Sequence, residues 1–293
     1  MKIAIFGQFF HKNADKAINI LFSYLSKKAC HVFIEETFFN TINQHTNKLD
    51  IKSLNTFKTL DSSYDLLISI GGDGTILRAI THVKNLGIPI VGINAGRLGF
   101  LATIQNENIP AAMDDILTGN YKISERSLLQ IHTTPEHPDL TELNFALNEI
   151  AISRKNTTSM ITVATKLDGE YLTSYWSDGL IVSTPTGSTG YSLSCGGPVI
   201  APTTKSLILT PIAPHNLNAR PLVITDSTEI ELKVAGREEH YLVSLDSRLA
   251  TLNNDAVLTI KKAPFKIKMI ELHNESFLDT LRKKLLWGED RRN

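Results

Sequence analysis

The sequence predicts an α/β N-terminal domain with a parallel sheet, an all-β sandwich-like C-terminal domain, and a C-terminal tail that packs back on the first domain. In residues 1–120, short apolar runs alternate with segments of helical spacing, which is typical of parallel βαβ units. Residues 121–265 instead contain many short strand-like runs separated by turn residues, which is typical of an antiparallel sandwich. The tail, 266–293, carries a short amphipathic segment, FLDTLRKKLLWG.

The first domain is predicted to alternate strands with helices along its length. Ala17, Leu21 and Leu25 recur on one face of the first helical segment. Two of the predicted strands run directly into glycine-rich turns. The predicted strands are 2–6, 31–36, 64–70 and 88–94, and the predicted helices are 14–28, a helix that follows GGDGT and ends at about 84, and 108–118.

Strand-like runs fill the second domain, and the sequence shows no long helical pattern there. The DGE sequence at 168–170 predicts a tight hairpin turn. The predicted strands lie in SLLQIHTT, NFALNEIAISR, MITVATKLDGEYLTS, GLIVSTP, PLVITD, TEIELKVAG, EHYLVSLDS and AVLTIKKA.

Composition and charge argue against several classes of function. The 293 residues include 30 Lys+Arg and 30 Asp+Glu, so wholesale electrostatic binding to nucleic acid or to an anionic membrane is not expected. No stretch of about 18 apolar residues exists to form a membrane-spanning helix. The N-terminal MKIAIFGQFF is predicted to be a strand and not a signal peptide. Two cysteines without a CxxC pattern suit a reducing cytosol, so we expect a cytoplasmic protein.

The GGDGT sequence at 71–75 stands where a buried strand ends and a helix begins. Ligands bind at such a place in open α/β sheets, and glycines together with a helix N-terminus favour phosphate. The turn lacks the GK[ST] of a Walker A loop and does not match GxGxxG. A lone carboxylate beside phosphates repels them unless it handles a metal or accepts a proton, so Asp73 is a candidate catalytic residue. The alternative is that Asp73 caps the helix.

Two further turns are candidates for ligand binding. AGRLGF at 95–100 follows the neighbouring strand and could line the same crevice, or it could be a plain left-handed turn. The stretch 183–197, STPTGSTGYSLSCGG, is dense in hydroxyls and glycines and carries no charge. Such a composition suits hydrogen bonding to a base or sugar, with glycine N–H groups available to phosphates. The alternative is a Ser/Thr-rich surface loop.

A polar pair, Asn148 and Glu149, interrupts the nearly continuous apolar run FALNEIAI. Polar groups in such a strand need partners if they are buried, although a sheet edge or a bulge would also accommodate them. Asp178 and Asp246 each stand at the end of a strand-like run, where carboxylates are usually structural. Composition alone selects neither of them.

Taken together, these motifs resemble the signature set of the NAD kinases. GGDGT, INAGRLGF, LNE at 147–149, SDG at 177–179 and TPTGSTGYSLSCGGP occur in the family's order and spacing, from residue 2 to about 287. GGDGT alone is shared with diacylglycerol, sphingosine and phosphofructo-type kinases, whereas SDG followed by TPTGSTGYSLS is far more specific.

The resemblance implies transfer of a phosphoryl group from ATP, or from polyphosphate in some members, to the 2′-hydroxyl of the adenosine ribose of NAD, which gives NADP. It implies Asp73 as proton acceptor, Mg²⁺ as the divalent ion with no residue of the chain assigned to it, and a homodimer or homotetramer with shared sites, in which a neighbouring subunit can supply the SDG aspartate. The implied NAD-binding residues are Asp73, Gly74, Asn148, Glu149, Trp176, Asp178, Thr189, Gly190, Tyr191, Ser192, Leu193, Ser194 and Arg248, and the implied phosphate-binding residues are Gly71, Gly72, Gly74 and Thr75.

The sequence departs from the family pattern at a few positions. Trp176 stands where many relatives have arginine, at a position linked to donor preference, so the choice between ATP and polyphosphate stays open. Gly190 replaces a common alanine, and Arg248 stands where others have glutamine. Two alternative functions are a lipid kinase, which would follow GGDGT with a GTGND-like segment, and a nucleotide-sensing module without turnover.

Overall fold

The computed structural model describes residues 1–8, 12–45, 55–96, 99–156 and 159–287. The chain divides into two compact units. The first comprises Met1–Glu125 and Ile267–Asn293, and the second comprises Arg126–Lys266.

The first unit is built on a parallel sheet. Its elements begin with β1 (Lys2–Gly7), α1 (Lys12–Leu25), β2 (His31–Glu35), α2 (Glu36–His45), β3 (Asn55–Phe57), β4 (Leu66–Gly71), α3 (Asp73–Val83), β5 (Ile90–Asn94) and α4 (Ile109–Thr118). The strand order is β5–β4–β1–β2–β3, with every neighbouring pair parallel. One face of the sheet shares a core with α1, α2 and α4, while α3 packs against β4 and β1. The predicted βαβ architecture is confirmed.

Two elements of this unit were not predicted, and one helix is shorter than predicted. The α2 helix carries only two fully buried apolar side chains, Phe38 and Ile42, so its helical pattern is weak. Its start is fixed by the buried carboxylate of Glu35, which accepts a hydrogen bond from Phe38 N at 2.8 Å. The short strand β3 was also missed. The α1 helix ends at Leu25 because residues 26–29 are exposed and bury no apolar side chain.

The second unit contains two antiparallel sheets that share one hydrophobic core. Its elements are β6 (Tyr121–Thr134), β7 (Phe145–Ala146), β8 (Glu149–Arg154), β9 (Ile161–Leu167), β10 (Glu170–Ser177), β11 (Gly179–Ser183), α5 (Tyr191–Ser194), β12 (Ser206–Ile212), β13 (Leu222–Thr225), β14 (Ile230–Gly236), β15 (His240–Leu245), β16 (Arg248–Asn253) and β17 (Val257–Leu272). One sheet has the order β13–β12–β11–β8–β15–β16, and the other contains β10–β9–β14–β17. This is the predicted sandwich.

Most strands of the second unit agree with the predictions, but β6 begins at Tyr121 and not at 127, and β17 continues to Leu272 and does not end at 263. Asp168 and Gly169 have φ values of 50° and 85°, which confirms the hairpin turn between β9 and β10. Strands β12 and β16 were not predicted. The run 144–154, predicted as one strand, is broken between β7 and β8.

The C-terminal segment returns to the first unit, as predicted. Met269 of β17 pairs in parallel with Ile90 of β5. Helix α6 (Phe277–Leu285) follows, and the Ser276 side chain caps it by accepting from Asp279 N. The last residues of the tail, 288–293, lie outside the described residues.

Candidate active site

Open space surrounds the glycine turn at the start of α3 in the first unit. A Cβ atom at Gly71 would lie 2.2 Å from Thr75 Oγ1, so glycine is required there by contact with a neighbouring side chain. A Cβ at Gly72 or at Gly74 would meet nothing within 4 Å. The backbone at these two positions is therefore accessible to a ligand.

A cavity of about 130 Å³ lies beside this turn. Its lining residues are Ala14, Ile70, Gly71, Gly72, Thr75, Ala95 and Gly96. The first N–H groups of α3 and the positive end of its dipole lie at the same place, which favours an anion. Small side chains leave the backbone to make the contacts, and this arrangement suits phosphate.

The carboxylate of Asp73 does not cap its own helix, so the N-cap alternative is wrong. The cap position is Gly72, which has no side-chain cap bond. Asp73 instead accepts three hydrogen bonds from the next loop: Phe100 N donates to Oδ2 at 2.8 Å, and Leu101 N and Ala102 N donate to Oδ1 at 3.0 Å each. The partly exposed carboxylate is thereby fixed next to the glycine turn.

The loop that holds Asp73 needs glycine at position 99 for space. A Cβ at Gly99 would lie 1.9 Å from Asp73 Oδ1. The described residues do not test the left-handed-turn alternative for AGRLGF. Buried Asn94, which sequence reasoning missed, accepts from Gly96 N at 2.7 Å and donates to Ala102 O at 3.1 Å. Arg97 and Leu98 of AGRLGF lie outside the described residues.

In the second unit, the break between β7 and β8 is held by Asp246. Its carboxylate accepts from Leu147 N at 3.0 Å (Oδ2), from Asn148 N at 2.8 Å (Oδ1) and from Glu149 N at 3.3 Å (Oδ1). These amides bind a side chain and not a neighbouring strand, which explains why the predicted strand is interrupted. Strand β8 lies between β11 and β15, so the sheet-edge alternative is wrong.

Glu149 is a buried acid with an unsatisfied oxygen. The residue is 8% exposed, and Oε2 has no hydrogen-bond partner among the described residues. Burial and, secondarily, the charge of Asp246 raise the pKa of Glu149 to about 8, against a hydrogen bond from Tyr191 N. At neutral pH this carboxyl is therefore mostly protonated, and it can act as a hydrogen-bond donor.

The Ser/Thr-rich motif is a packed element and not a surface loop. It forms a 3₁₀ helix, Thr186–Thr189, followed by α5. Thr184 Oγ1 donates to Leu147 O at 2.6 Å, and a Cβ at Gly187 would lie 2.1 Å from Asn148 O. The motif is thus packed directly on the turn that carries Asn148 and Glu149.

The predicted NAD-binding residues of this motif divide by exposure. Ser192 is fully buried, and its hydroxyl bonds Thr210 Oγ1 at 2.8 Å. The Tyr191 side chain is 45% exposed. A Cβ at Gly190 would lie 3.1 Å from Glu149 Oε2. Thr189, Gly190, Leu193 and Ser194 are at least partly accessible.

Trp176 and Asp178 precede β11, and the charge of Asp178 is one of the causes that raise the pKa of Tyr191 in the Ser/Thr-rich motif. Trp176 is 51% exposed, with its ring 5.1 Å from that of His215, and its backbone N–H donates to Asn216 Oδ1. Asp178 Oδ2 pairs with Arg154 Nη2 of the same chain at 3.0 Å. Asp178 precedes β11, whereas the Ser/Thr-rich motif follows it.

The side chain of Arg248 is committed to contacts within its own unit. Its guanidinium donates to the carbonyl oxygens of Leu143 and Phe145 and stacks 5.3 Å from the Phe145 ring. These contacts anchor the residues before the break at Asn148. The structure therefore brings Arg248 and Asp246 to one turn.

Within the described residues, no three His, Cys, Asp or Glu side chains form a group that could hold a metal ion. The same part of the chain contains no helix with the length and hydropathy needed to cross a membrane.

Family models match both units of the chain. The ATP-NAD kinase N-terminal domain matches residues 3–121, and the ATP-NAD kinase C-terminal domain matches residues 147–272. NAD kinases of Christiangramia forsetii and Flavobacterium psychrophilum are 60% and 58% identical to it, over 100% of both chains in each case.

Two solved structures share the fold of this chain. The structure of an NAD kinase from Archaeoglobus fulgidus in complex with ATP has a TM-score of 0.76 and 27% identity, over 98% of this chain and 99% of that one. Yeast NADH kinase complexed with NADH matches in fold, with a TM-score of 0.84 and 21% identity over 99% of this chain and 88% of that one. With both family models and two full-length relatives in agreement, the chain belongs to the NAD kinase family.

Proposed function

We propose that the chain transfers the γ-phosphoryl group of ATP to the 2′-hydroxyl of the adenosine ribose of NAD, with Asp73 as the proton acceptor. The observation that carries this proposal is the fixed carboxylate of Asp73 beside a glycine-lined cavity at a helix N-terminus. Family membership supports the choice of substrates, since the chain's relatives are NAD kinases and the A. fulgidus relative was solved with ATP.

The proposed chemistry is positioning and proton transfer. The 2′-oxygen attacks the γ-phosphorus, its proton passes to an oxygen of Asp73, and ADP leaves with the electrons of the broken P–O bond. Three backbone N–H groups hold the carboxylate in one orientation by hydrogen bonds. Aligning it therefore adds little to the activation barrier of the reaction. The N–H groups around Gly72 and Gly74 stabilise the phosphate oxygens.

We assign recognition of the dinucleotide to the second unit. Asn148, Glu149 and the accessible positions of the 189–194 segment present amide, carboxyl and backbone groups around one turn. Glu149 Oε2 is buried without a partner, and leaving such an atom unbonded is costly, so a polar group of the ligand is its natural partner. A ribose hydroxyl or an amide would serve.

The residues present fit a divalent ion that arrives with the phosphates. Mg²⁺ prefers oxygen ligands, keeps several waters and is commonly held by one carboxylate and substrate phosphates, so a dedicated protein cage is not required. Asp73, in the first turn of α3 beside the cavity, is the carboxylate that would hold it. When bound, Mg²⁺ neutralises part of the triphosphate charge.

We also propose that the chain acts in the cytoplasm as a homodimer or homotetramer. Both cysteines, Cys30 and Cys195, are free thiols, which suits a reducing compartment. The oligomer rests on the family resemblance alone. Asp178, which a neighbouring subunit can supply in the family, is ion-paired to Arg154 within its own chain.

The direct test is formation of NADP from NAD and Mg²⁺ by the purified chain, with ATP and polyphosphate compared as donors and an NADP-specific dehydrogenase as detector. We expect NADP with ATP. Tight NAD binding without NADP from either donor would instead support the nucleotide-sensing alternative. The lipid-kinase alternative is wrong, since the models that match both units are those of NAD kinase domains.

A further inference from the structure

The turn that carries Asn148 and Glu149 is held by one carboxylate. Three consecutive amides, those of Leu147, Asn148 and Glu149, donate to the two oxygens of Asp246. In addition, Asp246 N donates to Glu149 O at 3.0 Å. The backbone conformation of residues 147–149 is thus fixed largely by one residue almost a hundred positions later in the chain.

We propose that Asp246 is a positioning residue for NAD binding: its carboxylate holds the backbone of residues 147–149 so that Asn148 and Glu149 face the dinucleotide. This inference rests on the proposed function. Asp246 itself is not offered as a contact to substrate, because its carboxylate is buried as well as bonded to the three backbone donors.

Comparison with Asp168 separates the role of the Asp246 carboxylate from that of its backbone conformation. Asp246 has a φ of 54°, in the left-handed region, which glycine adopts freely and which asparagine and aspartate adopt more often than most other residues. Asp168 has nearly the same φ, 50°, in the β9–β10 hairpin, and its carboxylate accepts one amide, Glu229 N at 2.9 Å. The two aspartates share a backbone conformation and differ in what their carboxylates hold.

The surroundings of Glu149 link Asp246 to binding by charge as well as by geometry. The groups that face Glu149 are Asp246 from the turn after β15, and Tyr191 and Cys195 from α5 and the residue that follows it. Burial raises the pKa of Glu149 most, and the negative charge of Asp246 raises it further. Removing that charge should therefore lower the pKa of Glu149.

The test uses the full-length chain with Asp246→Asn and Asp246→Gly, and with Asp168→Asn and Asp168→Gly as matched controls. Asparagine and glycine both accept the left-handed backbone, so neither substitution breaks the turn by itself. We expect both Asp246 variants to raise the KM and the calorimetric Kd for NAD about tenfold or more, with kcat and the KM for ATP changed less than about threefold. The Asp168 variants should keep the wild-type KM for NAD.

A second measurement separates positioning from general damage. Titration of the Glu149 carboxyl by ¹³C NMR, assigned with Glu149→Gln, should show a lower pKa in Asp246→Asn than in the wild-type chain. An unchanged KM and Kd for NAD in Asp246→Gly, with the wild type active, would overturn the inference, because the residue would then be a turn former only. Absence of NADP from the wild type would overturn the proposed function instead.

Discussion

Two aspartates, one in each unit, hold three consecutive backbone amides in the same way. Asp73 binds the amides of residues 100–102, and Asp246 binds those of residues 147–149. Their surroundings differ. Around Asp73 lie glycines whose missing side chains leave open space, whereas Asp246 is covered by the chain, with Arg248 and Glu149 beside it.

The comparison shows that one hydrogen-bonding pattern can serve two purposes. Where space for a ligand adjoins the carboxylate, its oxygens are available to a reacting hydroxyl. Where protein covers it, the carboxylate can only organise its neighbours. Burial is the largest influence on Asp246 and raises its pKa, against the three amide bonds and the charge of Arg248. We therefore expect substitutions of Asp73 and of Asp246 to affect different kinetic constants.

The largest expected effect is that of Asp73→Asn. The amide keeps the shape of the side chain but is a far weaker proton acceptor, so kcat should fall about 1,000-fold or more while NAD still binds. Steady-state kinetics and calorimetric titration with NAD would check this. Near-wild-type turnover would contradict the role of Asp73 and remove the contrast with Asp246.

A smaller effect is expected at Gly99, where geometry alone is disturbed. In Gly99→Ala the new methyl group would overlap Asp73 Oδ1 at 1.9 Å and displace the carboxylate. Misplacement on that scale should lower kcat/KM about 100-fold without removing any catalytic group. The matched control is Gly236→Ala on β14, whose methyl would lie 3.2 Å from Ile161 Cγ2. Equal activity in the two variants would mean that the loop tolerates the methyl group.

The dependence of stability on pH tests how far the surroundings of Glu149, Asp246 among them, shift its pKa. The folded state raises the pKa of Glu149 from 4.5 to about 8, so folding favours the protonated form. The associated stability is present below pH 4.5 and is lost as pH rises through 8. Between pH 5 and 8.5 the wild type should lose on the order of a few kcal/mol more stability than Glu149→Gln.

Chemical denaturation at the two pH values would measure that difference. Glu170→Gln, on an exposed strand end, is the matched control and should follow the wild type. Parallel curves for the wild type and Glu149→Gln would show that Glu149 titrates near its ordinary value. The influence of Asp246 on its neighbour would then be small.

The smallest effect is expected for Gly190→Ala. Its methyl would lie 3.1 Å from Glu149 Oε2 and 3.2 Å from Gly187 O, and a shift of a few tenths of an ångström would relieve the contact. We expect the KM for NAD to rise about threefold or less, since the side chain can move more cheaply than a packed core. A tenfold rise would show that Glu149 is held more rigidly than its single backbone hydrogen bond indicates.

Much of the site could be predicted from local sequence. GGDGT gave the candidate acid and its glycines because a strand, a turn and a helix leave a local pattern. The polar pair Asn148 and Glu149 stood out in an apolar run for the same reason. Asn94 and Asp246 could not be selected, because a polar residue at a strand end is usually structural and nothing local distinguishes these two.

The sequence by itself determined the alternation of strands and helices in the first unit, the all-β second unit and the family, since these depend on periodicity and on motif spacing. Only the tertiary structure decided what each carboxylate holds. Asp73 meets amides 27 to 29 positions away, and Asp246 meets amides 97 to 99 positions away. Such contacts depend on how the strands pair and pack. The pattern of side chains along the chain therefore does not predict them.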